Sequence, residues 1–350
     1  MSNDPIIELE NVIFTYFGEN QQASGIKDIN LHINSGELVV LCGNSGCGKT
    51  TVTRLINGLI PHYYEGELSG RVRVCGQNVS EQPLYDTARI TGSVFQNSRS
   101  QFFNVDTTSE ITFGCENLGM PENEIRCRLE RVTDRFHLEN LLDRNIFMLS
   151  GGEKQKIACA GVSVMEPEVM ILDEPSSNLD VKSTMELKAI LKLWKEEGKT
   201  IVVSEHRLYY LSELAERYIY LEDGKIRGNY TKEEFLDLGA ERRLKMGLRC
   251  FSMDEESLST EIRNFTLVAS EKQQLEHKKI SSATLELQDF TYAYYVVTHD
   301  FEMIPSCCTA VIHLENGEIQ ETYPVDEAGI QKRKEYFIKQ YCNLTCVSVY

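Results

Sequence analysis

Nowhere in its 350 residues does the chain hold an apolar run approaching the ~20 residues that a membrane-spanning helix needs. The opening Met1-Ser2-Asn3-Asp4-Pro5 has neither a basic n-region nor an apolar h-region, so no signal peptide is expected. Paired CxxC spacing is missing as well, the 11 cysteines being scattered. A zinc site or a secreted disulfide framework is therefore disfavoured, and reduced cytosolic thiols are expected. Basic charge is in short supply: 36 Lys and Arg against 53 Asp and Glu leave a net charge of −17. That balance argues against broad binding to a phosphate backbone, which needs clustered cations, so no nucleic-acid partner is expected. If such a chain works at a membrane, it must dock on a partner there.

What is present is an ordinary globular composition, 41% hydrophobic and 25% charged, at a length that suggests about two domains. Ile7–Tyr16 reads as an early strand with a turn at Gly18. Gly36–Leu41 is an apolar run suited to a buried strand, and a glycine-rich loop and a helix-like segment, Thr51–Leu59, follow it. The stretch Glu110–Asn145 is polar with helical apolar spacing. Val169–Leu172 and Thr200–Val203 read as further strands, with an amphipathic helix, Met185–Glu197, between them. This alternation of strand and helix predicts an α/β fold on a mainly parallel sheet. Beyond Lys232 the chain becomes highly charged, with acids and bases nearly balanced, and reads as a helical or solvated linker.

After the linker the chain repeats itself. Glu286-Leu-Gln-Asp-Phe-Thr-Tyr292 echoes Glu8–Tyr16, Val296-Val-Thr-His299 echoes Val202–His206, and Leu314-Glu-Asn-Gly-Glu-Ile319 echoes Leu221–Ile226. Gly224 follows His206 by 18 positions, and Gly317 follows His299 by 18. The tail therefore holds the beginning and the end of a second copy, with roughly 180 residues between them missing.

Three motifs carry chemistry. Gly43-Asn44-Ser45-Gly46-Cys47-Gly48-Lys49-Thr50 fits the P-loop GxxxxGK[ST]. Its glycines let backbone N–H groups curl around phosphate oxygens at the start of a helix that continues through Thr51. Lys49 would supply charge to β- and γ-phosphates, and the Thr50 hydroxyl can ligate Mg²⁺. Cys47 sits where a positive field could lower its pKa, but a small filler residue is the favoured reading there. Val169-Met-Ile-Leu-Asp173-Glu174 ends an apolar strand in two acids. Asp173 is placed to hold Mg²⁺ and Glu174 to polarise an attacking water as general base. Such an ending alone is common; a P-loop upstream gives it meaning. Leu149-Ser150-Gly151-Gly152-Glu153-Lys-Gln-Lys156 opens a helix with a Ser cap and a Glu three residues on. The same terminus can bind an anion.

That last motif resembles the LSGGQ-type signature of ATP-binding cassette (ABC) ATPases, and the likeness covers about Pro5–Tyr230. It implies an ABC-type P-loop NTPase domain, with a RecA-like core, a helical subdomain and an antiparallel β subdomain, followed by a partial second cassette. The implied boundaries are 5–230 for the ATPase domain, 231–282 for the linker and 283–350 for the remnant. It further implies that Tyr16 stacks on adenine and that Gln96 senses Mg²⁺ and the attacking water. Ser176–Asp180 would cross a dimer interface as the D-loop, and His206 would contact the γ-phosphate. Gly58–Gly66, Val94–Phe103, the GEKQK form of the signature and the SSNLD form of the D-loop look most like the energy-coupling-factor (ECF) branch.

The resemblance therefore implies the ATP-hydrolysing subunit of an importer for a vitamin or a transition-metal ion, peripheral on the cytoplasmic face of the cell membrane. Its partners would be a second ATPase subunit, the same or different, a membrane coupling subunit and a membrane substrate-binding subunit. The alternatives are a soluble tandem-cassette ATPase of translation or DNA repair, and a truncated remnant that binds ATP without coupling.

Overall fold

The computed structural model describes residues 5–17, 25–97, 100–248, 310–315 and 318–324. The chain divides into two compact units, Met1–Phe251 and Ser252–Tyr350. The expected turn at Gly18, the repeats at 286–292 and 296–299, and most of the linker lie outside the described residues.

The first unit begins with β1 (Pro5–Tyr16), β2 (Gly25–Asn34) and β3 (Leu38–Cys42), then α1 (Lys49–Ile56) and the short α2 (Leu59–His62). β4 (Gly66–Val74), β5 (Gln77–Asn78), α3 (Leu84–Ile90) and β6 (Thr91–Val94) follow. Next come α4 (Thr107–Asn117), α5 (Glu122–Phe136) and α6 (Gly151–Ser163). The unit closes with β7 (Val169–Asp173), α7 (Val181–Glu196), β8 (Thr200–Ser204), β9 (Arg217–Glu222), β10 (Lys225–Thr231), α8 (Lys232–Leu236) and α9 (Ala240–Lys245).

Two sheets result. One has four antiparallel strands in the order β2-β1-β4-β5; the other has six, in the order β10-β9-β3-β8-β7-β6. In the second, β9, β3, β8, β7 and β6 run parallel and β10 returns antiparallel on β9. Its central strands are buried on both faces, which is why they read as unbroken runs of Val, Leu and Ile. Successive side chains still part to opposite sides. Leu38, Val40 and Cys42 join one core with Ile157, Leu187, Leu191 and Trp194. Val39 and Leu41 join another with Val52, Leu55 and the inner face of the four-stranded sheet. A helix of α7's length is held by that buried stripe and by its Asp180 cap, which accepts from the Ser183 N–H at 2.8 Å.

The first unit runs past Tyr230, where sequence reading placed the cassette's end. Thr231 caps α8 in a reciprocal box with Glu234. Phe235 is fully buried and stacks on Tyr218 of β9, ring centroids 4.0 Å apart and the ring planes nearly parallel. Met246 and Leu248 enter the same core. Phe235→Ala is expected to cost about 3 kcal/mol, the usual scale for deleting a buried ring. The check is the midpoint of a denaturant titration of the whole chain, and an unchanged midpoint would place α8 outside the folded unit.

The second unit contains the hairpin β11 (Ala310–Glu315) and β12 (Glu318–Pro324). Glu315 pairs with Glu318, Leu314 with Ile319, and the register slips by one before His313 meets Glu321. The first unit's last hairpin does the same: Glu222 pairs with Lys225, Leu221 with Ile226, and the slip precedes Tyr220 with Gly228. The two hairpins share turn length and bulge position, the features that set register in antiparallel pairs.

Candidate active site

The candidate residues Lys49, Thr50, Asp173, Glu174 and His206 meet at the C-terminal ends of β3, β7 and β8. There β3 passes into α1 through residues 43–48, a loop only glycine can follow. Gly43, Gly46 and Gly48 have φ of 138°, 77° and 108°. A Cβ on Gly43 would lie 2.2 Å from the Leu221 carbonyl oxygen. The loop therefore packs backbone on backbone and leads straight into the N-terminus of α1, a loop-to-helix arrangement of the kind that receives phosphates.

Lys49 is 4% exposed, and its ammonium donates to the carbonyls of Gly43 at 2.9 Å and Asn44 at 3.2 Å. It also meets His206 Nε2 at 3.2 Å. Cys47, 5% exposed, has its thiol pKa raised: burial outweighs the field of Lys49. Burial thus speaks against an activated thiol and agrees with the reading of Cys47 as a small filler residue.

Thr50 Oγ1 donates to Asp173 Oδ1 at 3.1 Å. Ser204, paired with Asp173 across β7 and β8, donates to the same oxygen at 2.5 Å. Burial raises the Asp173 pKa, and the two hydroxyls partly offset it. A desolvated carboxylate beside a threonine hydroxyl is an oxygen donor set of the hard kind that Mg²⁺ selects. Thr50 and Asp173 thus fit as its ligands, directly or through water, while Gln96, the third candidate, is held on Glu174. Ser204 was not singled out from sequence; its signal is its place at the end of β8 in register with the acid.

Glu174 is clamped. Its backbone N–H donates to the Ser204 carbonyl at 2.9 Å, and its φ of 44° is left-handed for a non-glycine residue. One carboxylate oxygen accepts from Gln96 Nε2 at 2.8 Å, and the other meets His206 Nε2 at 3.1 Å. Gln96, Glu174, His206 and Lys49, far apart in sequence, form one chain of contacts.

Tyr16 stands against the first turns of α1. Its hydroxyl lies 3.3 Å from Thr51 Oγ1 and accepts from Arg54 at 3.2 Å. Arg54 in turn lies over the Tyr64 ring, 4.0 Å from its centroid. Arg54 and Tyr64 were missed from sequence, since neither falls in a phosphate motif.

Ser150, Gly151, Gly152 and Glu153 form the expected capped terminus of α6. Ser150 Oγ accepts from the Glu153 N–H at 3.3 Å and Glu153 accepts from the Ser150 N–H at 2.7 Å. The Ser150 N–H first, and the Ser150 hydroxyl second, hold the Glu153 pKa below the usual carboxylate range. A Cβ on Gly152 would strike the Ser183 hydroxyl at 2.1 Å, and one on Gly151 would lie 3.5 Å from the Asn178 carbonyl. This terminus therefore sits against the 176–183 segment, and its described hydrogen bonds do not reach the phosphate loop of the same chain. Beside Gln96, an apolar groove of about 380 Å³ is lined by Leu59, Leu84, Phe95, Phe103, Phe113 and Met165.

The sequence profile of the ABC transporter family matches residues 26–177. A Pyrococcus abyssi protein described as an ABC transporter ATP-binding protein is 39% identical over 66% of this chain and 82% of its own length. A Treponema denticola protein with the same description is 48% identical over 73% of this chain and 52% of its own length. A second Treponema protein is likewise matched over 52% of its length, so the match spans about half of these relatives. Among solved structures, cbiO1 of Clostridium perfringens, described as part of the ABC transporter complex cbiONQ, superposes with a TM-score of 0.60. It is 26% identical, and the alignment covers 78% of this chain and 98% of that one.

Proposed function

We propose that this chain, which belongs to the family of ABC transporter ATP-binding proteins, binds ATP and hydrolyses it to drive a transporter built from other subunits. The observation that carries this reading is the Glu174 carboxylate, held between Gln96 and His206 beside the Lys49 loop. A base held there faces the end of a phosphate chain laid along the glycine cradle. When bound, Mg²⁺ would neutralise charge on the β- and γ-phosphates. The chain's own parts divide the rest: the loop N–H groups and Lys49 bind, Tyr16 orients the base of the nucleotide, Glu174 takes the proton from water, and Gln96 and His206 orient both.

Ser150–Gly152, a second terminus suited to an anion, packs against the 176–183 segment, and its described hydrogen bonds do not reach this cradle; on this reading a working site takes its signature from another cassette, either a second copy or a different ATPase subunit. The apolar groove beside Gln96 suits an apolar segment of a membrane coupling subunit. The likeness to a protein of the cbiONQ complex supports the ECF-type importer, with a vitamin or transition-metal ion as cargo chosen by a separate membrane subunit. Among the described residues no helix is long and apolar enough to cross a membrane, which suits a peripheral place on the cytoplasmic face. The shared register of the two hairpins supports reading residues 283–350 as the remnant of a second cassette.

Equilibrium sedimentation with Mg-ATP tests the two-cassette requirement. Association on ATP, reversed on hydrolysis, is expected either for the chain alone or with its partner ATPase. ATP binding without association or phosphate release in either mixture would leave only a nucleotide-binding remnant.

A further inference from the structure

We infer that Glu205 and Arg207 are positioning residues that lock His206 to the Ser176–Leu179 loop, so that the phosphate-facing imidazole and the loop move as one body. The inference rests on the nucleotide site proposed above and names how that site is linked to the surface next to the signature.

Glu205 is 2% exposed, an unusual place for a carboxylate unless its oxygens are filled. They are filled by four donors from two directions. Oε1 accepts from the N–H groups of His206 at 2.7 Å and Arg207 at 3.0 Å. Oε2 accepts from the Ser176 N–H at 3.3 Å and the Tyr210 hydroxyl at 2.9 Å. One oxygen thus holds the turn that carries the imidazole, and the other holds the loop that leaves β7 after Glu174. Tyr210 remains a donor, because burial first and the Glu205 charge second push its pKa well above the ordinary value. The backbone of Glu205 is itself pinned, its N–H donating to the Leu41 carbonyl at 3.0 Å, at the root of the phosphate loop.

Arg207 makes the same connection from the other side. Its guanidinium donates to the carbonyls of Ser176 at 3.1 Å and Leu179 at 2.9 Å. Two residues flanking His206 therefore grip both polarities of one loop, its N–H and its carbonyls. The gripped loop leads to Asn178 and Ser183, against which the Gly151–Gly152 terminus packs. A shift of His206 on meeting a phosphate has a rigid route to that surface, carried by contacts that tolerate little slack in a buried setting.

The test is hydrogen exchange on the full chain in the Glu174→Gln background, with and without Mg-ATP. ATP is expected to protect both 204–208 and 175–180. Adding Glu205→Gln sets an amide NH₂ against one pair of donors, so one arm of the lock must open. Protection of 204–208 is then expected to persist while that of 175–180 falls at least about fivefold, with ATP affinity within about threefold. Arg207→Met, which leaves the four donors to Glu205 in place, is expected to act in the same direction, and it carries the test should Glu205→Gln not fold. Undiminished protection of 175–180 in the variants overturns the inference, as does its absence in the parent. Failure of the parent to bind ATP at all instead overturns the nucleotide site.

Discussion

Glu174→Gln should still bind ATP with near-parental affinity and should lose turnover by about 10²- to 10⁴-fold, the span that a general base contributes. The geometry explains the separation. Glutamine is isosteric and keeps a side-chain oxygen to accept from Gln96, so the contact to the Q-loop survives. The left-handed φ of 44° is unaffected, since both residues carry the same Cβ and meet the same strain. What disappears is the lone pair with affinity for a proton, and with it about 3–5 kcal/mol of transition-state stabilisation. Single-turnover phosphate release beside an equilibrium ATP titration measures the two quantities separately. Unchanged turnover would remove Glu174 as the base, and a parallel loss of binding would make it a structural residue.

Lys49→Ala should fail earlier, at binding. Among the described residues the ammonium is the one cation held inside the loop by its carbonyls, and it is already desolvated, so it reaches phosphate without a further burial cost. A charge-assisted hydrogen bond contributes about 1.5–3 kcal/mol, which corresponds to a loss of roughly 10- to 150-fold in ATP affinity. AMP, which lacks the β- and γ-phosphates, should bind parent and variant alike. Calorimetric titration with both nucleotides decides the matter: an equal loss for AMP points to collapse of the loop, and no loss for ATP sinks the role of Lys49.

The two variants separate the parts of the site that were readable in different ways. Gly43–Thr50 is contiguous, and its chemistry depends on backbone N–H groups and one side chain, so spacing alone was sufficient. Tyr16, Gln96 and His206 carry no local signature and were named only through resemblance to a family. The structure brings Gln96 and His206 onto Glu174, and it sets Tyr16 against Thr51. For Cys47, sequence could supply the neighbouring lysine but not the depth of burial, and burial decides the direction of the shift. Ser204 and Glu205 lay unnoticed because a serine and a glutamate at a strand end are ordinary until their partners on β7 and its following loop are known.

Sequence by itself determined the α/β class, the glycine-rich loop between β3 and α1, the acids at the end of β7, the capped start of α6 and the echo of one hairpin by another. All of these rest on short-range periodicity or on residues adjacent in the chain, where local stereochemistry is sufficient. Only the tertiary structure decided where the first unit closes, because Phe235 belongs to it by stacking on a strand that sequence proximity does not specify. It also decided that the Ser150 terminus faces the 176–183 segment and that one carboxylate binds the His206 turn to that segment. The physical reason is common to both: burial and hydrogen-bond pairing are set by which elements the sheet order makes neighbours, and that order is a long-range outcome of packing.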